Sequence, residues 1–353
     1  MTGTQIPLSM DSFEAPTIAE DIWQPGALTV EQDEPTPARA EKFSIGSKAI
    51  SDAFEGGLDH GKVHCITAKA EHGARDLSRA LLAAHLLCSP EATATMIDST
   101  LTFDVRRLHS TLRSSIAPGQ NTAMEALKRL KISKVFDRIG MVEAVAELGD
   151  ELSRERQQRV VGSTKPQKST IEDSEDEEDM LDEVPLKPTT TAAHADNKCP
   201  RSTDSKKLLI VDSISHVMTP IIKNDYAQGQ LLLTSMLRLL TKVTQEHNLC
   251  TIVLGDAGFK LVPEDETLSR FKLCRIKPAV GYGLGFLVDV HFYLHQFSSR
   301  AVSRGHGDTA TDVKAQRPVH VLEMVEERDG NRQWSWAAFR FTEEGTLDDV
   351  TPD

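Results

Sequence analysis

Hydrophobic positions along this chain switch between two periods. Short apolar runs alternate with longer stretches in which apolar residues recur every three or four positions, the patterns of buried strands and amphipathic helices. Val63 to Thr67 is the first predicted strand, and Gly73 to Cys88 the helix after it, with Leu77, Leu81, Ala84 and Leu87 on one face. Ala94 to Ile97 predicts a second strand ending at Asp98, Phe103 to Ser115 a helix, Arg129 to Phe136 a third strand and Val142 to Gln158 a long helix. Lys207 to Asp212 is the strongest strand signal: an apolar run closed by a carboxylate, as expected of a strand buried on both faces. Gln228 to Asn248 carries a helical stripe through Leu232, Met236, Leu239 and Val243, and Cys250 to Leu254 returns as a strand. Phe286 to Phe297, Pro318 to Val325 and Trp334 to Phe341 complete the sheet, the last two joined by a turn at Asp329, Gly330 and Asn331 that suits an antiparallel hairpin. The fold class is therefore α/β: a mostly parallel sheet flanked by helices, with an antiparallel C-terminal edge.

Two stretches break this pattern. Residues 1–42 mix Pro, Thr, Asp and Glu with neither a basic start nor an apolar core, so they read as a disordered arm and not as a secretory or transit signal. Residues 161–205 are rich in Ser, Thr, Pro, Lys and acidic groups and nearly free of aromatic or branched apolar side chains, the composition of a segment unable to pay for its own ordering. They are expected to form a disordered acidic insertion in a surface connection, splitting the core into 43–160 and 206–349, with a tail at 350–353. A plain solvated spacer is the simplest role for the insertion; Ser174, ahead of the acidic run, is an alternative kinase site.

Charge and cysteine usage narrow the function. The formal net charge of −13 argues against a protein that coats DNA by itself, although nine of the acidic residues lie between Glu172 and Glu183 and leave the rest only mildly acidic. Cys65, Cys88, Cys199, Cys250 and Cys274 show no paired spacing and mostly sit in apolar segments, as core residues of a protein from a reducing compartment, cytosol or nucleus, do. No apolar run approaches the roughly 18 residues of a membrane-spanning helix.

Several strings carry chemistry. Phe43 to Gly61 reads FSIGSKAISDAFEGGLDHG, and Ala68 to Arg75 reads AKAEHGAR. Met96 to Leu108 reads MIDSTLTFDVRRL, Lys207 to Ser213 reads KLLIVDS, Lys277 to Gly281 reads KPAVG, and Phe339 to Asp349 reads FRFTEEGTLDD. In this order they resemble the RecA-type strand-exchange recombinases, and in particular the eukaryotic recombinase paralogues, over most of the chain from Phe43 to Asp349. The resemblance implies a RecA-like P-loop NTPase core. The family's small N-terminal helical DNA-binding domain has no counterpart here, because the arm is too short and too polar.

The departures from the family are informative. A phosphate loop needs G-x-x-x-x-G-K-[ST], with backbone N–H groups around the phosphates, a Lys on the terminal phosphates and a hydroxyl on Mg²⁺. Aligned without gaps, only Gly73 survives; Ala74 stands at the lysine position and Arg75 at the hydroxyl position, while a one-residue shift puts Asp76 there and loses Gly73. Thr100 stands where the family has the glutamate that polarises the attacking water, and Asp256 and Ala257 replace the Asn-Gln sensor pair. Asp212 and Ser213 match the segment whose aspartate supports the metal; the same carboxylate also reads as one that ends a buried strand and caps the next turn.

The resemblance therefore implies a degenerate nucleotide site of Gly73, Ala74, Arg75, Asp76, Asp212 and Ser213, with no catalytic residue. Any cofactor is ATP with Mg²⁺ through Asp212. The expected role is a nuclear subunit in homologous recombination and DNA repair that packs laterally on other RecA-type paralogues or on the recombinase, with ATP bound chiefly by partner residues and DNA reached through the complex. Two other readings stand beside it: a residual DNA-dependent ATPase using Gly73, Arg75 and Asp212, and a RecA-fold scaffold like the accessory subunits of Elongator's ring. Phe259, Lys260, Arg270 and Lys272 lie where the family has its second DNA loop, and Lys277 opens the KPAVG string; these are the weak DNA-contact candidates.

Other signals are set aside. Gly281, Gly283 and Gly285 lack the strand-to-helix setting of a dinucleotide loop and are expected to permit a mobile loop. His291 and His295 share a strand face, but no Cys, His or carboxylate set is seen to complete a metal shell. Lys128, Arg129, Lys131, Lys134 and Arg138 are expected to form a solvated basic face, since interleaved aromatics for base stacking are missing.

Overall fold

The computed structural model describes residues 42–43, 45–116, 122–163, 206–258, 263, 267–271, 274–297, 317–330 and 334–350, all within the unit Ala40–Asp353. Most of the arm and of the acidic insertion, Ser174, Cys199, the tail beyond Val350, and Phe259, Lys260 and Lys272 lie outside the described residues. The helices are α1 (Lys48–Ala53), α2 (Ala74–Cys88), α3 (Val105–Ser114), α4 (Thr122–Lys128), α5 (Arg138–Ser163), α6 (Ile214–Asn224), α7 (Tyr226–Glu246) and α8 (Leu284–Leu287). The strands are β1 (Val63–Ala68), β2 (Thr93–Asp98), β3 (Leu130–Lys134), β4 (Lys207–Asp212), β5 (Cys250–Asp256), β6 (Val290–Phe297), β7 (Val319–Glu327), β8 (Trp336–Phe341) and β9 (Leu347–Asp349).

They form a single nine-stranded sheet in the order β3-β2-β4-β5-β1-β6-β7-β8-β9. The first six in that order run parallel and the last three antiparallel, the mixed plan that the alternating sequence pattern predicts. β1, β4 and β5 are central, which is why Val63 to Ala68 is buried at every position and Lys207 to Asp212 at all but its first: helices cover both faces. One face carries a core of Ile66, Leu77, Leu81, Met96, Ile210, Ile252 and Phe292, and the other a core of Val63, Met141, Val211, Leu237, Leu240 and Val253.

Two expectations are corrected. The residues from Phe286 do not begin a strand: α8 occupies Leu284–Leu287, and β6 starts at Val290 after Val288 and Asp289 are buried against the sheet end. Gly283 caps that helix and Gly285 lies within it, while Gly281 takes a positive φ of 104° beside Gln230 and Tyr226, a backbone state glycine adopts without steric cost. Finally, the basic cluster is partly structural. Arg129 donates to the carbonyls of Leu86, Ser89 and Ala92, satisfying the end of α2 and the turn after it, and Lys131 pairs with Glu151.

Candidate functional site

The carboxyl ends of the parallel strands bring three aspartates together: Asp98 ends β2, Asp212 ends β4 and Asp256 ends β5. Asp98 and Asp212 are register partners, and Asp256 lies beside Ala68 at the end of β1. In open α/β sheets this edge is where ligands bind, because loops and helix starts converge there.

Each aspartate has a local occupation. Asp98 is fully buried and closes the turn after β2, accepting from the backbone N–H of Thr100 and Leu101 through Oδ1 and of Phe103 through Oδ2. Thr100 gives its hydroxyl to the same Oδ1 at 3.0 Å. Asp256 accepts the Ser213 hydroxyl at 3.1 Å. Asp212, 2% exposed, receives the Arg75 guanidinium, with Nε 3.2 Å from Oδ2. Burial pushes the Asp212 carboxyl above its usual range, the Arg75 charge draws it back down, and Asp98 and Asp256 push it up again.

Arg75 and Asp212 thus meet, with Gly73 two residues before the arginine and Ser213 directly after the aspartate. Asp76 does not join them; it pairs with Arg79 on its own helix. The reading of Asp212 as a capping group is corrected as well: Ser213 is the N-cap of α6, accepting from the His216 N–H, while Asp212 is left to Arg75.

The loop between β1 and α2 has its own shape. β1 ends at Ala68 and α2 starts at Ala74, and between them Ala70–His72 winds into a 3₁₀ turn closed by His72 N–H to Lys69 O at 2.9 Å. Gly73 ends the turn at φ 80°. A Cβ there would lie 2.7 Å from Phe341 Cε2 and 3.4 Å from His320 Cε1, so the loop is held down on β7 and β8. His320 Nδ1 is 3.1 Å from His72 O.

Of the DNA-contact candidates, Arg270 and Lys277 lie among the described residues. Arg270 is exposed, and its backbone N–H donates to Glu323 Oε1 at 2.6 Å. Lys277 lies with Nζ 5.8 Å from the Tyr282 ring centroid, and its carbonyl accepts from Gly258.

A second cluster escaped the sequence reading. Cys274, His295 and Glu323 are all buried, and their ligating atoms lie within 4.8 Å of one another, so the expectation that nothing accompanies His295 is corrected. Their separation along the chain hides them. The available signal was Glu323, a carboxylate flanked by Leu322 and Met324 within an apolar strand.

No family model matches the chain, and no curated protein sequence matches it. Among solved structures it is similar to the RadB recombinase, with a TM-score of 0.54 and 17% identity over 88% of this chain and 100% of that one. Together with the strand order, that likeness shows the fold: a RecA-like α/β core with a mostly parallel sheet and antiparallel C-terminal strands.

Proposed function

We propose that this chain is a subunit of a DNA recombination and repair assembly that works by packing against RecA-type partners and not by turning over ATP on its own. The observation that carries the reading is the Arg75–Asp212 pair. A P-loop NTPase needs a Lys for the terminal phosphates and a carboxylate and hydroxyl free to hold Mg²⁺. Here the lysine position is Ala74, the hydroxyl position supplies a guanidinium, and that guanidinium neutralises the carboxylate. The second support is Thr100, whose hydroxyl is committed to Asp98 and which has no basicity to prime a water. If ATP with Mg²⁺ is held at all, Gly73 N–H and the Asp212 carboxylate are the groups to hold it, and Arg75 must first swing away.

Assembly is supported by apolar side chains left in solvent. Phe136 and Ile139 are exposed just beyond β3, at one edge of the sheet; Tyr226 and Leu231 are exposed on α7, and Phe286, 77% exposed, on α8. Exposed apolar side chains on several elements suit a contact between related subunits. We place the assembly in the nucleus, and DNA contact in the complex as a whole.

The test has two arms. Purified chain is expected to show neither Mg²⁺-dependent ATP binding nor hydrolysis, and affinity purification from cells under DNA damage is expected to recover RecA-type recombination subunits. Turnover abolished by Arg75→Ala would overturn the non-catalytic reading, and recovery of tRNA-modification subunits instead would overturn the recombination role.

A further inference from the structure

We infer that Cys274, His295 and Glu323 form a zinc-binding site that fastens the segment after β5 to the antiparallel half of the sheet. The three residues come from three separate elements. His295 lies on β6 and Glu323 on β7; Tyr293 faces Glu323 and His295 faces Val321 in the antiparallel register, so His295 and Glu323 are diagonal neighbours on one face. Cys274 comes from the returning connection, where its backbone N–H donates to Phe271 O at 2.7 Å and its carbonyl accepts the Thr267 hydroxyl at 2.8 Å.

The distances suit a metal. His295 Nε2 is 3.7 Å from Glu323 Oε2, and all three donors fall within 4.8 Å of one another. Tetrahedral zinc with S, N and O ligands holds its donors roughly 3.2–3.8 Å apart, a separation that His295 Nε2 and Glu323 Oε2 already meet. A thiol, an imidazole and a carboxylate are a zinc combination; Mg²⁺ and Ca²⁺ take oxygen-only shells. Ser269 supports two of the ligands from outside the set: its hydroxyl donates to Glu323 Oε2 at 2.5 Å and also interacts with the Cys274 thiol.

The surroundings orient the ligands. Glu323 Oε1 accepts the Arg270 N–H at 2.6 Å, and Oε2, which accepts the Ser269 hydroxyl, lies 3.7 Å from His295 Nε2. The Phe271 ring packs 5.0 Å from the His295 ring, centroid to centroid, and 5.4 Å from that of Trp336, while Ile276, Tyr293 and Val325 close the apolar shell around Cys274. Such a shell around hydrogen-bonded ligands raises metal affinity. Lys69 and His72, from the loop after β1, are the nearby cationic and titratable groups.

Binding forms the S–Zn bond at Cys274 and releases the thiol proton to solvent, with no change in oxidation state.

The probe is Co²⁺, then Zn²⁺, added to chelator-treated full-length chain. The expected result is a thiolate-to-cobalt charge-transfer band in the near ultraviolet, displaced by Zn²⁺, with one equivalent of zinc that Cys274→Ser and His295→Gln each lose and Cys88→Ser retains. His295→Gln carries the same comparison if Cys274→Ser does not fold. No such band in folded wild-type chain, or a zinc content unchanged in His295→Gln, overturns the site.

Discussion

Arg75 reaches across from the first turn of α2 to place its Nε 3.2 Å from Asp212 Oδ2 at the end of β4. The two partners are unequally placed: the Arg75 side chain is 43% exposed, and that of Asp212 2%. Removing the arginine strands a buried carboxylate, whereas removing the carboxylate's charge leaves a guanidinium that water can solvate. Arg75→Ala is therefore expected to lower stability by about 1–2 kcal/mol at neutral pH, and Asp212→Asn to change it by less. The pH dependence follows from the raised Asp212 pKa. The folded state of Arg75→Ala holds the Asp212 proton to higher pH than the unfolded chain does, so the variant's deficit should shrink as pH falls through that raised value. Urea unfolding of both variants at neutral and mildly acidic pH decides it; a larger loss in Asp212→Asn would contradict this account.

Gly73 gives a second test. At φ 80° an L-residue costs roughly 1–2 kcal/mol, and a Cβ 2.7 Å from Phe341 Cε2 adds overpacking of about 1–3 kcal/mol. Gly73→Ala should lose about 2–5 kcal/mol, and adding Phe341→Leu should recover the packing part but not the backbone part. An unchanged unfolding midpoint in Gly73→Ala would show that the loop is not pinned to β8.

The parallel half of this fold was legible because burial on both faces forces uninterrupted apolar runs, as in Lys207–Asp212. The groups that end those runs, Asp98 and Asp212, were legible as candidate chemistry for the same reason. Their partners were not. That Arg75 turns back onto Asp212 depends on the sheet order, which places β1 one strand from β4 and which no local pattern encodes. Cys274, His295 and Glu323 were hidden in the same way, and the short strand Leu347–Asp349 has too few residues to show a period.

Two buried histidines set the acid side of the stability profile. Burial lowers His85 to about 4 and His291 to about 3, from 6.5. His85 Nε2 sits 2.9 Å from Thr93 O, and His291 Nε2 2.9 Å from Thr67 Oγ1. With folded values below unfolded ones, their contribution is complete above pH 6.5 and is lost as pH falls toward 4 and 3, because the unfolded chain takes up protons first. Each contributes up to about 1.4 kcal/mol per pH unit in that window. His291→Gln should flatten the slope by about one proton between pH 4 and 6, whatever it does to the absolute stability. Chemical unfolding across that range measures the slope, and an unaltered slope would mean that His291 is protonated in the folded state.

The C-terminal end of the described chain is tied to its beginning. Asp349, the last residue of β9, accepts the Ser47 hydroxyl at 2.5 Å through Oδ1 and the backbone N–H groups of Lys48 and Ala49 at 2.9 and 3.1 Å through Oδ2. Ser47 in turn accepts the Ile50 N–H, so the first turn of α1 has its free N–H groups satisfied by two side chains 302 residues apart. α1 seats Ile50 in the main core, and that burial depends on the turn holding its shape. Asp349→Ala should cost about 1–2 kcal/mol. Asp349→Asn should cost less, because it keeps one acceptor oxygen, and Ser47→Ala on top of Asp349→Ala should add less than it does alone, since the two share one interaction. A double-mutant cycle read by thermal unfolding returns that coupling directly; strict additivity would show that the two ends of the domain are not joined through this carboxylate.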